Sequence, residues 1–211
     1  MPRIIDISVP LQQGLPQWPG SDPLQIRQVD SLAAGAVANV TFLQTGSHTG
    51  THIDAPLHFI DGGKTTDEIP LEKLVGTCQV LGFTGKSAIT AADLVAAGVQ
   101  PGIGKLLFRT DNSRFWDNPV HSFREDFCAL TLDACHWVVD HGIHLVGIDY
   151  LSIQLYADSF DSHVVLLSAE VVIVEGLDLR NAAPGIYKLT CLPLKVRGVE
   201  GMMARAVLET I

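Results

Sequence analysis

Between residues 48 and 58 the chain places His48, His52, Asp54 and His58, three imidazoles and a carboxylate inside eleven residues punctuated by Gly50 and Pro56. Side chains of that kind form a mixed nitrogen and oxygen ligand set that suits borderline divalent ions such as Zn²⁺. A fold built on this sequence has to bend the stretch until those side chains reach a common point. All four positions are even, so an extended segment projects them from one face. A straight strand rising about 3.3 Å per residue would still hold His48 and His52 roughly 13 Å apart, too far for two nitrogens each about 2 Å from one ion. Gly50 is placed to supply the bend. A helix would also put His48 and His52 on one face, but Gly46, Gly50, Pro56 and the β-branched Thr49, Thr51 and Ile53 make a poor helix. The expectation is a bent strand or loop. Each histidine taken singly fits an ordinary turn; together, desolvated beside a carboxylate with no shared ion, they would waste hydrogen-bonding capacity.

His48, Thr49, Gly50, Thr51, His52, Ile53, Asp54, Ala55, Pro56, Leu57 and His58 satisfy every fixed position of the pattern His-x-Gly-Thr-His-x-Asp-x-Pro-x-His. In this the sequence resembles the metal-dependent cyclase-like hydrolases, a family that includes bacterial kynurenine formamidase and isatin hydrolase, and the likeness covers nearly the whole chain. The resemblance implies that His48, His52 and Asp54 bind metal and that His58 gives and takes protons. It implies that His163 and Glu175 complete the site and that Trp18 lines the substrate pocket. It further implies one or two ions, zinc or manganese. With two ions, Asp54 and Glu175 bridge them, His48 and His52 hold one and His163 the other. With one ion, His163 or His58 is free for proton transfer. The family's fold is a single compact α/β domain, here residues 1–211, with a β-barrel-like mixed sheet flanked by helices, of the swivelling β/β/α type. Its members are homo-oligomers, so a homodimer or homotetramer is expected, with pockets near subunit contacts.

Composition narrows the partners. Hydrophobic residues are 47% and charged residues 18% of the 211, as in a globular chain with length enough for a core. The net charge of −9, with 14 scattered Lys and Arg, disfavours nucleic acid and anionic membrane. No apolar run is long enough to span a bilayer and no secretory leader is evident, so a cytoplasmic protein acting on a small molecule is expected. Cys78, Cys128, Cys135 and Cys191 form no Cys-x-x-Cys pair and sit among apolar neighbours, as buried hydrophobes do in a reducing compartment.

Apolar runs and breakers divide the rest. Strands are expected over residues 3–9, 24–29, 38–44, 75–83, 105–109, 144–149, 171–174, 186–196 and 204–209. Helices are expected from Thr90 through Ala97, with Asp93 at the acidic third position and Gly98 as the stop, and over residues 131–141, closed by Gly142. Trp18 sits in a proline- and glycine-rich loop, where composition alone leaves pocket lining and core lid equally open. Arg114, Phe115 and Trp116, in an insertion-like loop over 110–118, either cover a pocket or pack on the core. Asp61, Asp67 and Glu68 fit a solvated capping loop, and His121, His136, His141 and His144 surface or helix-end positions. A helical turn over 164–169 leads to a strand with Glu175 at its end; Glu170, five residues earlier, is the rival acid.

The chemistry expected is hydrolysis of a carbon–nitrogen bond, because a bound divalent ion brings water's pKa to about 7 and an imidazole can deliver the proton a poor leaving nitrogen needs. An aryl formamide is the first substrate class, with Trp18 and Phe59 stacking on its ring. Isatin, lactam or lactone hydrolysis is the alternative among enzymes. A metal-stabilised binding protein without turnover is the alternative outside them, and His58, surplus to a closed structural site, separates the two.

Overall fold

The computed structural model describes residues 2–117 and 123–211. In chain order the strands are β1 (Ile4–Asp6), β2 (Gln25–Asp30), β3 (Val40–Gln44), β4 (His52–Asp54), β5 (Val75–Phe83), β6 (Ala88–Ile89), β7 (Lys105–Thr110), β8 (Ala129–Leu130), β9 (Leu145–Ile148), β10 (Val172–Glu175), β11 (Gly185–Pro193) and β12 (Gly201–Thr210). The helices are α1 (Leu71–Leu74), α2 (Ala91–Ala97), α3 (Leu132–Asp140) and α4 (Asp161–Ser168).

Seven strands close a ring in the order β12-β11-β5-β7-β9-β10-β4, and β4 returns to β12. β5, β7, β9 and β10 run parallel, whereas β4, β11 and β12 pair antiparallel. β12 is long enough that its first residues pair with β4 and its last with β1. Side chains alternate across the ring, as the period of two requires. Leu107, Leu145, Val172 and Val174 point inward with Ile53, Leu189, Ala206 and Leu208, while Leu106, Phe108, Val146, Ile148 and Ile173 point outward. The outward set packs beneath Leu94 of α2, Ala134, Cys135 and Val138 of α3, and Leu166 and Leu167 of α4. Burial on both faces explains why these strands read as continuous apolar runs. The result is a single compact α/β domain with a closed, barrel-like mixed sheet, as the family resemblance implied.

Local chemistry sets the ends of several elements. β5 occupies residues 75–83 as its apolar run predicts, and α2 begins at a reciprocal capping box in which Thr90 and Asp93 bond each other's backbone. Gly98, at φ +71°, ends α2 in the left-handed conformation glycine tolerates. The four cysteines are free and buried, and burial pushes each thiol up to about 12. Asp67 and Glu68 serve the capping role expected of them, around Thr65. Among the described residues no helix is long and apolar enough to cross a membrane.

Two expectations need correcting. The first strand stops at Asp6, because the Asp6 carboxylate accepts the Ser8 N–H and turns the chain; Ser8 then bridges Leu177. The loop expected over 110–118 is a 3₁₀ helix, Asp111–Asp117, and Trp116 is core: its indole N–H donates to the Leu177 and Asp149 carbonyls at 2.9 and 3.2 Å. Asn118 and His121 lie outside the described residues. The strands expected over 24–29 and 38–44 are present as β2 and β3 and pair with each other in a separate hairpin, whose side chains are largely exposed.

The loops that carry the polar cluster are locked by backbone contact. Gly50 and Gly176 both lie at positive φ, +65° and +67°, and a Cβ on Gly176 would fall on the Gly50 carbonyl oxygen. The Thr51 hydroxyl bridges the pair, donating to the Gly176 carbonyl at 2.6 Å and accepting the Val9 N–H at 2.9 Å. Gly176→Ala is therefore expected to cost at least about 2 kcal/mol in urea unfolding, since left-handed strain and backbone overlap act together. Unchanged stability would mean that this contact yields easily.

Candidate metal centre

β4 is three residues long, and its alternation sends Ile53 into the barrel and His52 and Asp54 to the outer face. Glu175, the last residue of β10, is paired with His52, so its side chain emerges beside them. The turn before β4 carries His48 back over the strand; Gly50 makes it, since a Cβ there would strike the Leu11 side chain. Gly201, opposite Asp54 on β12, makes room for the His48 ring, which a Cβ at that position would overlap. Pro56 opens the 3₁₀ turn Pro56–His58, which brings His58 to stack on His48 with centroids 4.1 Å apart. His163 comes from the first turn of α4, and Phe59 stacks on it at 4.7 Å.

The donor atoms converge. His52 Nε2 lies 3.4 Å from Asp54 Oδ1 and 3.6 Å from Glu175 Oε2, and His163 Nε2 lies 3.3 Å from Glu175 Oε1 and 3.9 Å from Asp54 Oδ2. Four ligands about 2.1 Å from a tetrahedral ion stand about 3.4 Å from one another, so the spacing suits a shared cation. Two triplets, His48–Asp54–His58 and His52–Asp54–Glu175, each bring their donor atoms within 4.8 Å, and Asp54 belongs to both. Asp54 is 1% exposed, and neither of its oxygens has a hydrogen bond. His48 Nδ1 stands 2.8 Å from Oδ1, the nearest polar contact of the carboxylate. A buried carboxylate ringed by imidazoles, with no backbone or hydroxyl donor on either oxygen, fits a divalent ion.

The electrostatics agree. Burial pushes the Asp54 carboxyl up, but His48, His52 and His58 outweigh it and hold the group below the usual carboxylate range. Burial lowers the His48 imidazole, yet Asp54, then Glu175 and Glu200, raise it to about 9. His58 goes the other way. Burial and the neighbouring imidazoles of His48, His163 and His52 prevail over the pull of Asp54 and push it down to about 4. The centre draws positive charge at its floor and keeps a neutral imidazole at its rim.

His48, His52, His58, His163 and Glu175 line a cavity of about 350 Å³ together with Trp18, Phe59, Leu151, Ser152, Gln154 and Phe160, and Asp54 lies behind its floor. The structure thus brings together all eight residues singled out in the sequence. Of the two rival acids, Glu175 stands in the cluster and Glu170 does not. Glu170 is 45% exposed and held by Lys64 at 2.6 Å, away from the centre. His136 and His141 are exposed on α3 and its C-cap, where His141 stacks on Trp137, and His144 packs against Gly104. Glu200, 3.3 Å from His48 Nε2, and Gln154, 2.6 Å from His163 Nδ1, were not anticipated. No spacing rule points to them: Gln154 is held by its bridge to Leu130, and Glu200 directly precedes β12, whose Gly201 pairs with Asp54.

Comparison with known proteins agrees with this picture. The family model "Cyclase: Putative cyclase" matches residues 5–154, a span that takes in Trp18 and the whole 48–58 stretch and ends before His163 and Glu175. "Cyclase-like protein 3" of Oryza sativa subsp. japonica is 36% identical over 217 residues, covering 98% of this chain and 79% of that protein. The solved structure "The Structure Of Potential Metal-Dependent Hydrolase With Cyclase Activity" superposes with a TM-score of 0.87 at 31% identity, over 100% of this chain and 99% of that one. "Crystal structure of an isatin hydrolase bound to product analogue thioisatinate" superposes with a TM-score of 0.86 over 99% of this chain and 92% of that one; at 20% identity the likeness is one of fold.

Ion binding by this centre should be measurable as stability. A ligand at a hundredfold excess over its Kd adds about 2.7 kcal/mol, or about 5 to 10 °C in Tm for a chain of this size. Chelation is expected to lower Tm by that order, Zn²⁺ or Mn²⁺ to restore it, and Asp54→Asn to abolish the difference. A Tm indifferent to chelator and to added ion would contradict the assignment.

Proposed function

The chain belongs to the cyclase family, and from that premise we propose that it is a metal-dependent hydrolase cleaving the amide carbon–nitrogen bond of a small aromatic substrate, arylformamidase-like in type. One observation carries the reading. A floor of imidazoles and carboxylates, assembled from a turn, two strands and a helix, faces the same cavity as the rings of Trp18, Phe59 and Phe160.

His48, His52, Asp54, His163 and Glu175 would hold one or two divalent ions, zinc or manganese, which would lower the pKa of water from 15.7 to about 7. The rest falls to side chains. Trp18 is propped by Phe123 and Tyr156, at centroid distances of 5.1 and 5.5 Å, and offers its face to an aromatic ring. Phe59, wedged between Phe160 and His163, forms the wall nearest the polar floor. Together they hold the substrate ring so that its amide lies over the carboxylates and imidazoles. His58, pushed down to about 4, is neutral at pH 7; it accepts a proton, holds it weakly and returns it to the departing nitrogen. Its position on the rim, stacked on His48 and touching Phe59, is between floor and ring.

We further propose that the protein acts as a homo-oligomer through its β2–β3 hairpin. A two-stranded sheet is marginal in water by itself, yet this one exposes Val29, Val40, Phe42 and Leu43. Sedimentation velocity should show a dimer or larger species, and Phe42→Glu together with Leu43→Glu should return it to monomer. A monomeric wild type would overturn that arrangement.

The activity is tested with Zn²⁺- and Mn²⁺-loaded protein against N-formylkynurenine, formanilide and isatin, followed by absorbance. Hydrolysis of a formamide is expected, and His58→Ala should keep its ion and lose a factor of about 10² to 10⁴ in kcat. Turnover of isatin alone would move the assignment to cyclic amides. No turnover of any of the three by folded, loaded protein would favour a binding protein.

A further inference from the structure

Gln154 is 2% exposed and is fixed at its backbone, where its N–H donates to Ser152 Oγ and the residue bridges Leu130 of β8. Its side-chain oxygen, Oε1, meets His163 Nδ1 at 2.6 Å. An amide oxygen only accepts, so Nδ1 must carry a hydrogen; a lone pair there would face another lone pair at that distance. A ring with no second hydrogen then presents a lone pair at Nε2, and Nε2 faces Glu175 Oε1 at 3.3 Å and Asp54 Oδ2 at 3.9 Å. Facing two carboxylates, Nε2 calls for positive charge, and a hydrogen donated to Glu175 or a metal ion competes for that one place. Glu175 Oε1 is itself steadied by the Ile153 N–H at 2.7 Å, so the short 152–154 segment holds both the acid and the imidazole. His52 repeats the arrangement: Nδ1 faces the Gly50 carbonyl at 2.9 Å and Nε2 faces the carboxylates.

We propose that Gln154 is a positioning residue that fixes His163 as the Nδ1–H tautomer, turning Nε2 onto the ion and making His163 a ligand instead of a proton carrier. The inference rests on the metal-dependent reading of this centre and reaches past it in one respect. With both His163 nitrogens engaged, one by Gln154 and one by the ion, proton traffic at the cavity rim is left to His58.

Zinc affinity of the full chain, measured by competition with a chromophoric chelator, tests this without reference to turnover. Gln154→Leu removes the acceptor and is expected to weaken Zn²⁺ binding about 10- to 100-fold, the usual loss for a partner that orients a ligand. Gln154→Glu keeps an acceptor oxygen in place and should remain within about threefold of wild type. The metal-free variants should melt alike, which separates orientation from general damage. Equal affinity in all three proteins, or an equal loss in both variants, would overturn the proposal. Should Gln154→Leu fail to fold, ring-nitrogen NMR of wild-type protein decides: the hydrogen on Nδ1 of His163 supports the assignment, and on Nε2 alone contradicts it. Failure of amide hydrolysis with this order of affinities intact would reject the substrate and leave the role of Gln154 standing.

Discussion

A carboxylate sealed in a protein without a hydrogen bond costs several kcal/mol unless positive charge stands beside it. Asp54 is that group, at the seam where β4 closes the barrel between β10 and β12. Its surroundings answer the cost. His52 shares its strand, Glu175 arrives on the neighbouring strand, His163 descends from α4, and His48 folds back over it from the turn. The same closure that completes the sheet therefore brings these imidazoles and carboxylates together.

The barrel supplies rigidity at that seam. β9 and β10 are parallel and buried on both faces, so Glu175 is placed by packing as much as by pairing. Gly50 and Gly176 let two loops approach closer than any side chain would permit, and Thr51 ties them. The aromatic wall rests on the outward core through Phe59, Trp18 and their neighbours. Polar side chains thus sit on one side of the cavity and aromatic rings on the other, each anchored to a different part of the scaffold.

Much of this was legible in the sequence where the determinants are local. The 48–58 stretch announces a ligand set and a bend at Gly50, and β5 and α2 follow from an apolar run and a capping box. The shared parity of the four polar positions proved true of His52 and Asp54, which lie on one strand; His48 and His58 reach the same point from a turn and a 3₁₀ segment. What could not be read depends on long-range pairing. Ring closure by β12, the indole bonds of Trp116 and the arrival of Glu200 require partners dozens of residues away, and the detachment of the β2–β3 hairpin and the contact of Gln154 with His163, nine residues on, depend on how the chain packs around them. His163 and Glu175 were placed by family likeness, since a lone histidine and a turn acid carry no such signal themselves.

The central claim is that a divalent cation resides among Asp54, Glu175 and the imidazoles of His48, His52 and His163. Crystals of the protein grown with Zn²⁺ and measured on both sides of the zinc absorption edge test it most directly. The anomalous map is expected to show one or two peaks within about 2.3 Å of Asp54 oxygens and His52 Nε2. A map with zinc elsewhere on the molecule and none at Asp54 would contradict it.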